Sequence, residues 1–107
     1  RKGLPVMNDT NPGATPGAVD AALQPKLNRL FRLQFEPAQD AHVLLYPEGM
    51  VKLNPSAAQI LLRCDGTRNV AAIVADLERA FNATGIAPDV ETFIAHAIER
   101  GWLEPSA

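Results

Sequence analysis

The chain has 107 residues, enough for one compact domain and too few for two. With 47% hydrophobic and 21% charged residues it can build a globular core, and a net charge of −2 excludes a general electrostatic pull toward nucleic acid or anionic membranes. Its single cysteine, Cys64, excludes an intramolecular disulfide and fits a reducing, cytoplasmic setting; no apolar run approaches the roughly 20 residues that span a bilayer, and no signal peptide is visible.

Residues 1–25 are rich in Pro, Gly, Asn and Thr, as in Asn11-Pro12-Gly13 and Thr15-Pro16-Gly17. They hold too little apolar surface to offset their ordering entropy, so the segment is expected to be a flexible tail or inter-domain linker. Val19 and Leu23 allow a helical turn that Pro25 would stop. The chain starts with Arg1 and reads as an excised piece of something longer. Residues 26–107 are expected to be the folded domain.

Phe31, Leu33 and Phe35 alternate with Arg32, Gln34 and Glu36, which predicts a strand with one wet face. His42 to Tyr46 predicts a second strand, apolar on both faces and therefore central. Pro47-Glu48-Gly49 reads as a tight turn, and Met50 to Leu53 as a third strand closing a hairpin. Asn54-Pro55 is a helix start, because Asn caps free N–H groups and Pro suits the first helical position. That helix runs to about Arg63 and ends at Asp65-Gly66. A second helix spans about Val70 to Phe81, with Val70, Ile73, Val74, Leu77 and Phe81 on one face. Gly85 breaks it. Pro88 opens a third helix whose apolar stripe is Val90, Phe93, Ile94, Ala97 and Ile98, ending near Arg100 and Gly101. Trp102-Leu103 is a short apolar tail expected to fold back on the core. The fold class is α+β: a three-stranded antiparallel sheet followed by a three-helix bundle, resembling a winged-helix arrangement.

The residues offer little chemistry. His42 and His96 are far apart in sequence, and no spacing suits a metal, so no metal, cofactor or catalytic residue is expected. Cys64 has no sequence-adjacent base and reads as a packing residue. Asp76, Glu78, Asp89 and Glu91 read as solvated or helix-capping carboxylates. The third helix carries Asp89, Glu91 and Glu99 against Arg100, so it would repel phosphates; no nucleic-acid role is expected. The residues point to a binding or structural module and leave its ligand open.

The stretch Val43-Leu44-Leu45-Tyr46-Pro47-Glu48-Gly49, then Val51-Lys52-Leu53-Asn54 and Ser56-Ala57-Ala58, resembles the pyrroloquinoline quinone biosynthesis protein D family. Pro25-Lys26-Leu27, Ile60-Leu61 before Asp65-Gly66, Ile73-Val74 with Leu77, and Asp89-Val90 with Phe93 extend the resemblance over about residues 25–104. The resemblance implies a non-catalytic peptide chaperone. Such a protein binds a ribosomally made precursor peptide and presents it to a radical S-adenosylmethionine enzyme. It also implies a possible origin as a fusion behind the C protein, the oxidase of the pathway. By the same resemblance, the peptide adds a strand beside Met50, Val51, Lys52 and Leu53 and packs on Val90, Phe93, Ile94, Ala97 and Ile98. Lys52 and Arg100 would meet an acidic peptide, and Asp89 and Glu91 a basic residue. The same apolar stripe is also what any core-facing helix shows. The expected oligomeric state is a monomer or weak dimer. Two alternatives stand beside this reading: a dimerisation or scaffold module pairing through the same hairpin edge, and a quinone-binding protein stacking its ligand on Trp102 and Tyr46.

Overall fold

A computed structural model describes residues 19–106, with strands β1 (Gln24–Leu27), β2 (Arg32–Glu36), β3 (Ala41–Tyr46), β4 (Gly49–Lys52) and β5 (Leu103–Ser106) and helices α1 (Pro55–Leu62), α2 (Val70–Ala80) and α3 (Ala87–Glu99). The expected three-stranded antiparallel sheet is present, in the order β2-β3-β4. The three expected helices follow it. Among the described residues no helix is long and apolar enough to cross a membrane.

The helix starts follow local chemistry. The Asn54 side chain accepts from the Ala57 N–H at 2.8 Å, and Pro55 takes the first helical position of α1. Asn69 does the same for α2 through Ala72 at 2.8 Å. The first turn of α3 holds Pro88, and the Glu78 carboxylate on α2 accepts from the Ile86 N–H at 3.4 Å. Between α1 and α2, Arg63 donates to Asp76 at 2.5 Å and to the carbonyl and side-chain oxygens of Gln59 at 2.9 Å. Arg79 bonds the other Asp76 oxygen at 2.8 Å, so one carboxylate ties the two helices together.

The core runs from the sheet into the helices. Leu44 on β3 joins Leu53, Ala57, Ile60 and Leu61 around α1, Ile73 and Leu77 of α2, Val90, Phe93, Ile94 and Ala97 of α3, and Leu103 of β5. All are buried. Removing this apolar area from water is the main stabilising term, at about 25 cal/mol per Å².

The expected domain boundary lies between residues 25 and 26. The 25/26 break falls inside β1, which pairs antiparallel with β5 from Gln24↔Ser106 to Leu27↔Leu103. The Trp102-Leu103 segment folds back on the core as expected, with Leu103 buried in it and opening a strand, β5. Pro25 faces Pro105. Neither has an N–H, so that pair cannot be hydrogen-bonded, and the ladder bonds belong to the pairs on either side. The other edge of β1 is also occupied. Leu27 N–H donates to the Cys64 carbonyl at 3.1 Å, and Gly66 N–H to the Pro25 carbonyl at 3.0 Å. Upstream, the Leu23 and Ala21 carbonyls accept from the Val70 and Ala71 N–H groups, at 2.9 and 3.2 Å. These are first-turn donors of α2 with no intrahelical partner, so the entering chain supplies part of that helix's cap. Val19 and Leu23 pack on the core. The rest of the expected tail, residues 1–18, lies outside the described residues.

A correction concerns Phe81, expected on the apolar face of α2. It is the C-cap residue, and its side chain is 52% exposed. At φ −111° its backbone has left the helical path, so the helical spacing that would have carried it onto the core ends one residue earlier.

Candidate functional site

The hairpin of β3 and β4 is closed by the Tyr46↔Gly49 pair around Pro47-Glu48. Its register continues through Leu45↔Met50, Leu44↔Val51 and Val43↔Lys52. One step further, Leu53 N–H donates to the His42 carbonyl at 3.0 Å. Hydrogen-bonded and non-bonded pairs alternate along an antiparallel ladder. With His42·Leu53 bonded, Leu44·Val51 and Tyr46·Gly49 are bonded too, and Leu45·Met50 and Val43·Lys52 are not. The N–H and C=O groups of Met50 and Lys52 therefore point away from β3. Among the described residues no strand pairs with that side of β4. The edge carries two donors and two acceptors in a row, the arrangement that accepts another strand.

The side chains divide by the same alternation. Leu33, Leu44 and Val51 form one cross-strand row against the core. On the outer face lie the row Arg32–Leu45–Met50 and the row Gln34–Val43–Lys52. Val43 is buried there, whereas Met50 is 49% exposed and Lys52 is exposed. Lys52 has no carboxylate partner among the described residues. Glu36, at the far end of this face, accepts from the Gln34 amide at 3.2 Å.

The expected site residues are thus separated. Met50, Val51 and Lys52 lie on an open edge, but Leu53 at its end is core. On α3, Val90, Phe93, Ile94 and Ala97 are all buried in the core cluster. The main neighbours of α3 are β5 and α2, while α1 lies against β3. Ile98 is half-buried against the core. Arg100 is exposed, with its guanidinium 5.7 Å from the Trp102 ring centre, and Trp102 lies 6.5 Å from the Phe93 ring. Leu45 and Arg32 share the cross-strand row of Met50 on the outer face. The Leu45–Met50 pairing follows from the turn, since the two are equidistant from Pro47-Glu48 and face each other.

The remaining reactive groups are occupied in structure. Cys64 donates to the Ile60 carbonyl at 3.2 Å, and burial pushes its thiol up to about 12, with the nearby Asp65 adding to the effect. Thr67 bonds the Asp65 carboxylate through its hydroxyl at 2.6 Å and its N–H at 2.9 Å, which holds that carboxyl below its usual range. His42 is half-buried against the Phe35 ring, 5.3 Å between centres. Among the described residues no three His, Cys, Asp or Glu side chains gather to hold a metal ion.

Comparison with known proteins gives this geometry a context. The family described as coenzyme PQQ synthesis protein D matches residues 41–103. The chain is 57% identical over 81 residues to the PqqA binding protein of Stutzerimonas stutzeri (strain A1501), covering 75% of this chain and 88% of the relative. It is 59% identical over 81 residues, with the same coverage, to the PqqA binding protein of Azotobacter vinelandii. Among solved structures it is similar to the solution NMR structure of the PqqD truncation of Methylobacterium extorquens PqqCD, described as a functional and stand-alone RiPP recognition element. The TM-score is 0.65 at 28% identity, over 83% of this chain and 97% of that one.

Proposed function

The chain belongs to the coenzyme PQQ synthesis protein D family, and from that premise we propose that it is a peptide-binding protein that takes up the PQQ precursor peptide as a fourth strand on β4. The observation that carries the reading is the open edge at Met50 and Lys52, whose outward N–H and C=O groups match the backbone of an extended peptide. Relatives named PqqA binding protein support the choice of ligand. The protein does no chemistry on the peptide. It orders the peptide and holds it for a modifying enzyme of the radical S-adenosylmethionine class, in the cytoplasm, as a monomer or weak dimer.

An ordered edge lowers the cost of binding, because β4 is already fixed by β3 on one side and by Val51 in the core on the other. Each backbone bond to the peptide adds about 0.5–1.5 kcal/mol net. Of the α3 positions expected to meet the peptide, Ile98 is half-buried and the C-cap residue Arg100 is exposed, which supports giving these two the surface role. The helices beside the β3–β4 hairpin are read as a winged-helix-like arrangement used for peptide rather than DNA. If the chain is part of a fusion with the C protein, any oxidase activity would reside in that other domain.

Amide hydrogen exchange with and without the precursor peptide tests the reading. The Met50 and Lys52 amides should gain protection on binding. Val51 and Leu53, already bonded to β3, should change little. Saturable binding that leaves the Met50 and Lys52 amides exchanging freely would place the peptide elsewhere. Strand-mediated self-association is the competing use of this edge, and it would protect the same two amides without peptide, in a concentration-dependent way.

A further inference from the structure

We propose that the outer face of the sheet reads the side chains of the bound strand, selecting an acidic residue beside Lys52, an apolar residue beside Met50, and an apolar residue between them beside Val51. The proposal rests on the β4 reading above and adds to it a ligand chemistry. A strand hydrogen-bonded to Met50 and Lys52 has no freedom in where its side chains fall. Residues level with Met50 and Lys52 project onto the outer face, about 7 Å apart, and the one between them projects beside Val51 on the core side. This holds whether the peptide runs parallel or antiparallel to β4; only the order of the three residues reverses.

The face is chemically graded. Met50 is half exposed and backed by Leu45 in the same cross-strand row, so an apolar side chain placed there covers apolar surface. Lys52 stands over Val43, which is fully buried, and has no carboxylate partner among the described residues. Arg32, two strands away in the Met50 row, adds a second positive charge to the face. The acids near it are less available to oppose an acidic ligand. Glu36 lies at the far end, bonded to Gln34, and Glu48 belongs to the turn beyond Met50. The acidic preference thus falls on the Lys52 position and the apolar one on Met50.

The test is a substitution scan of the precursor peptide, with Glu, Ala and Lys placed in turn at each position. Affinities are measured by fluorescence anisotropy at low salt for the wild type, Lys52→Glu and Met50→Lys. For the wild type, one position should favour Glu over Lys by about threefold to tenfold, the range of an exposed ion pair turned into a repulsion. Lys52→Glu should invert the preference at that position alone. Met50→Lys should create a new preference for Glu two residues away. A preference that Lys52→Glu leaves unchanged, or shifts equally at all positions, overturns the proposal. If the β4 amides still gain protection in that case, the edge reading stands and only the side-chain readout fails. Loss of both would remove the premise with it.

Discussion

If residues 20–27 belong to the folded domain, a chain that starts at Asn28 should be much less stable than one that starts at Val19. The shorter chain loses β1 and the segment before it. Four backbone hydrogen bonds outside the β1–β5 ladder go with them: Leu27 to Cys64, Gly66 to Pro25, Val70 to Leu23 and Ala71 to Ala21. At about 0.5–1.5 kcal/mol each, these four come to about 2–6 kcal/mol, before the ladder bonds and the cover over Leu103 are considered. A domain of this size has only about 5–15 kcal/mol of stability in total. With a urea slope of about 1 kcal/mol/M, the midpoint should fall by about 2 M or more, or the chain should fail to fold. Urea unfolding followed by the far-ultraviolet dichroism of the three helices reads the difference without depending on Trp102, which bonds Asn28 at the cut. Midpoints within about 0.5 M of each other would refute the reasoning, since two of these bonds alone are expected to exceed that.

Other perturbations test separate parts of the fold. Gly66 has φ +84°, and a Cβ there would meet Lys26 Cδ at 3.2 Å, so Gly66→Ala should cost about 1–2 kcal/mol in chemical denaturation. Asn69→Ala removes the side-chain cap of α2 and should cost about 1 kcal/mol, read the same way. The Arg63 guanidinium holds the Asp76 carboxyl below its ordinary 3.8. Its stabilisation is therefore present above that value and lost as pH falls through the lower folded value. The urea midpoints of the wild type and Asp76→Asn should differ at neutral pH and converge well below pH 3.8; a constant gap would contradict the assignment. Cys64 is buried with its thiol pushed up to about 12, so iodoacetamide should label it only as fast as the domain unfolds. A native rate equal to that in urea would contradict its burial.

Much of this protein was decided locally and could be read locally. The alternation across β2, the Pro47-Glu48 turn and the Asn54-Pro55 helix start each depend on neighbours a few residues away, and each appears where its residues predict it. The helical stripe of α3 was equally legible, but its destination was not. Periodicity says that Val90, Phe93, Ile94 and Ala97 share a face, and only packing decides whether that face meets a core or a ligand. The same limit explains the missed strands. β1 and β5 are four residues each, both contain proline, and each is a strand only because the other lies beside it from the opposite end of the chain. Their apolar content is too small to announce a strand in isolation. Likewise, nothing local to Met50 and Lys52 marks their backbone as free. The sequence by itself determined the hairpin, its register and three helices. The tertiary structure alone decided which apolar faces were consumed, which chain end was built into the domain, and which edge was left open, because each of those depends on what a distant segment covers.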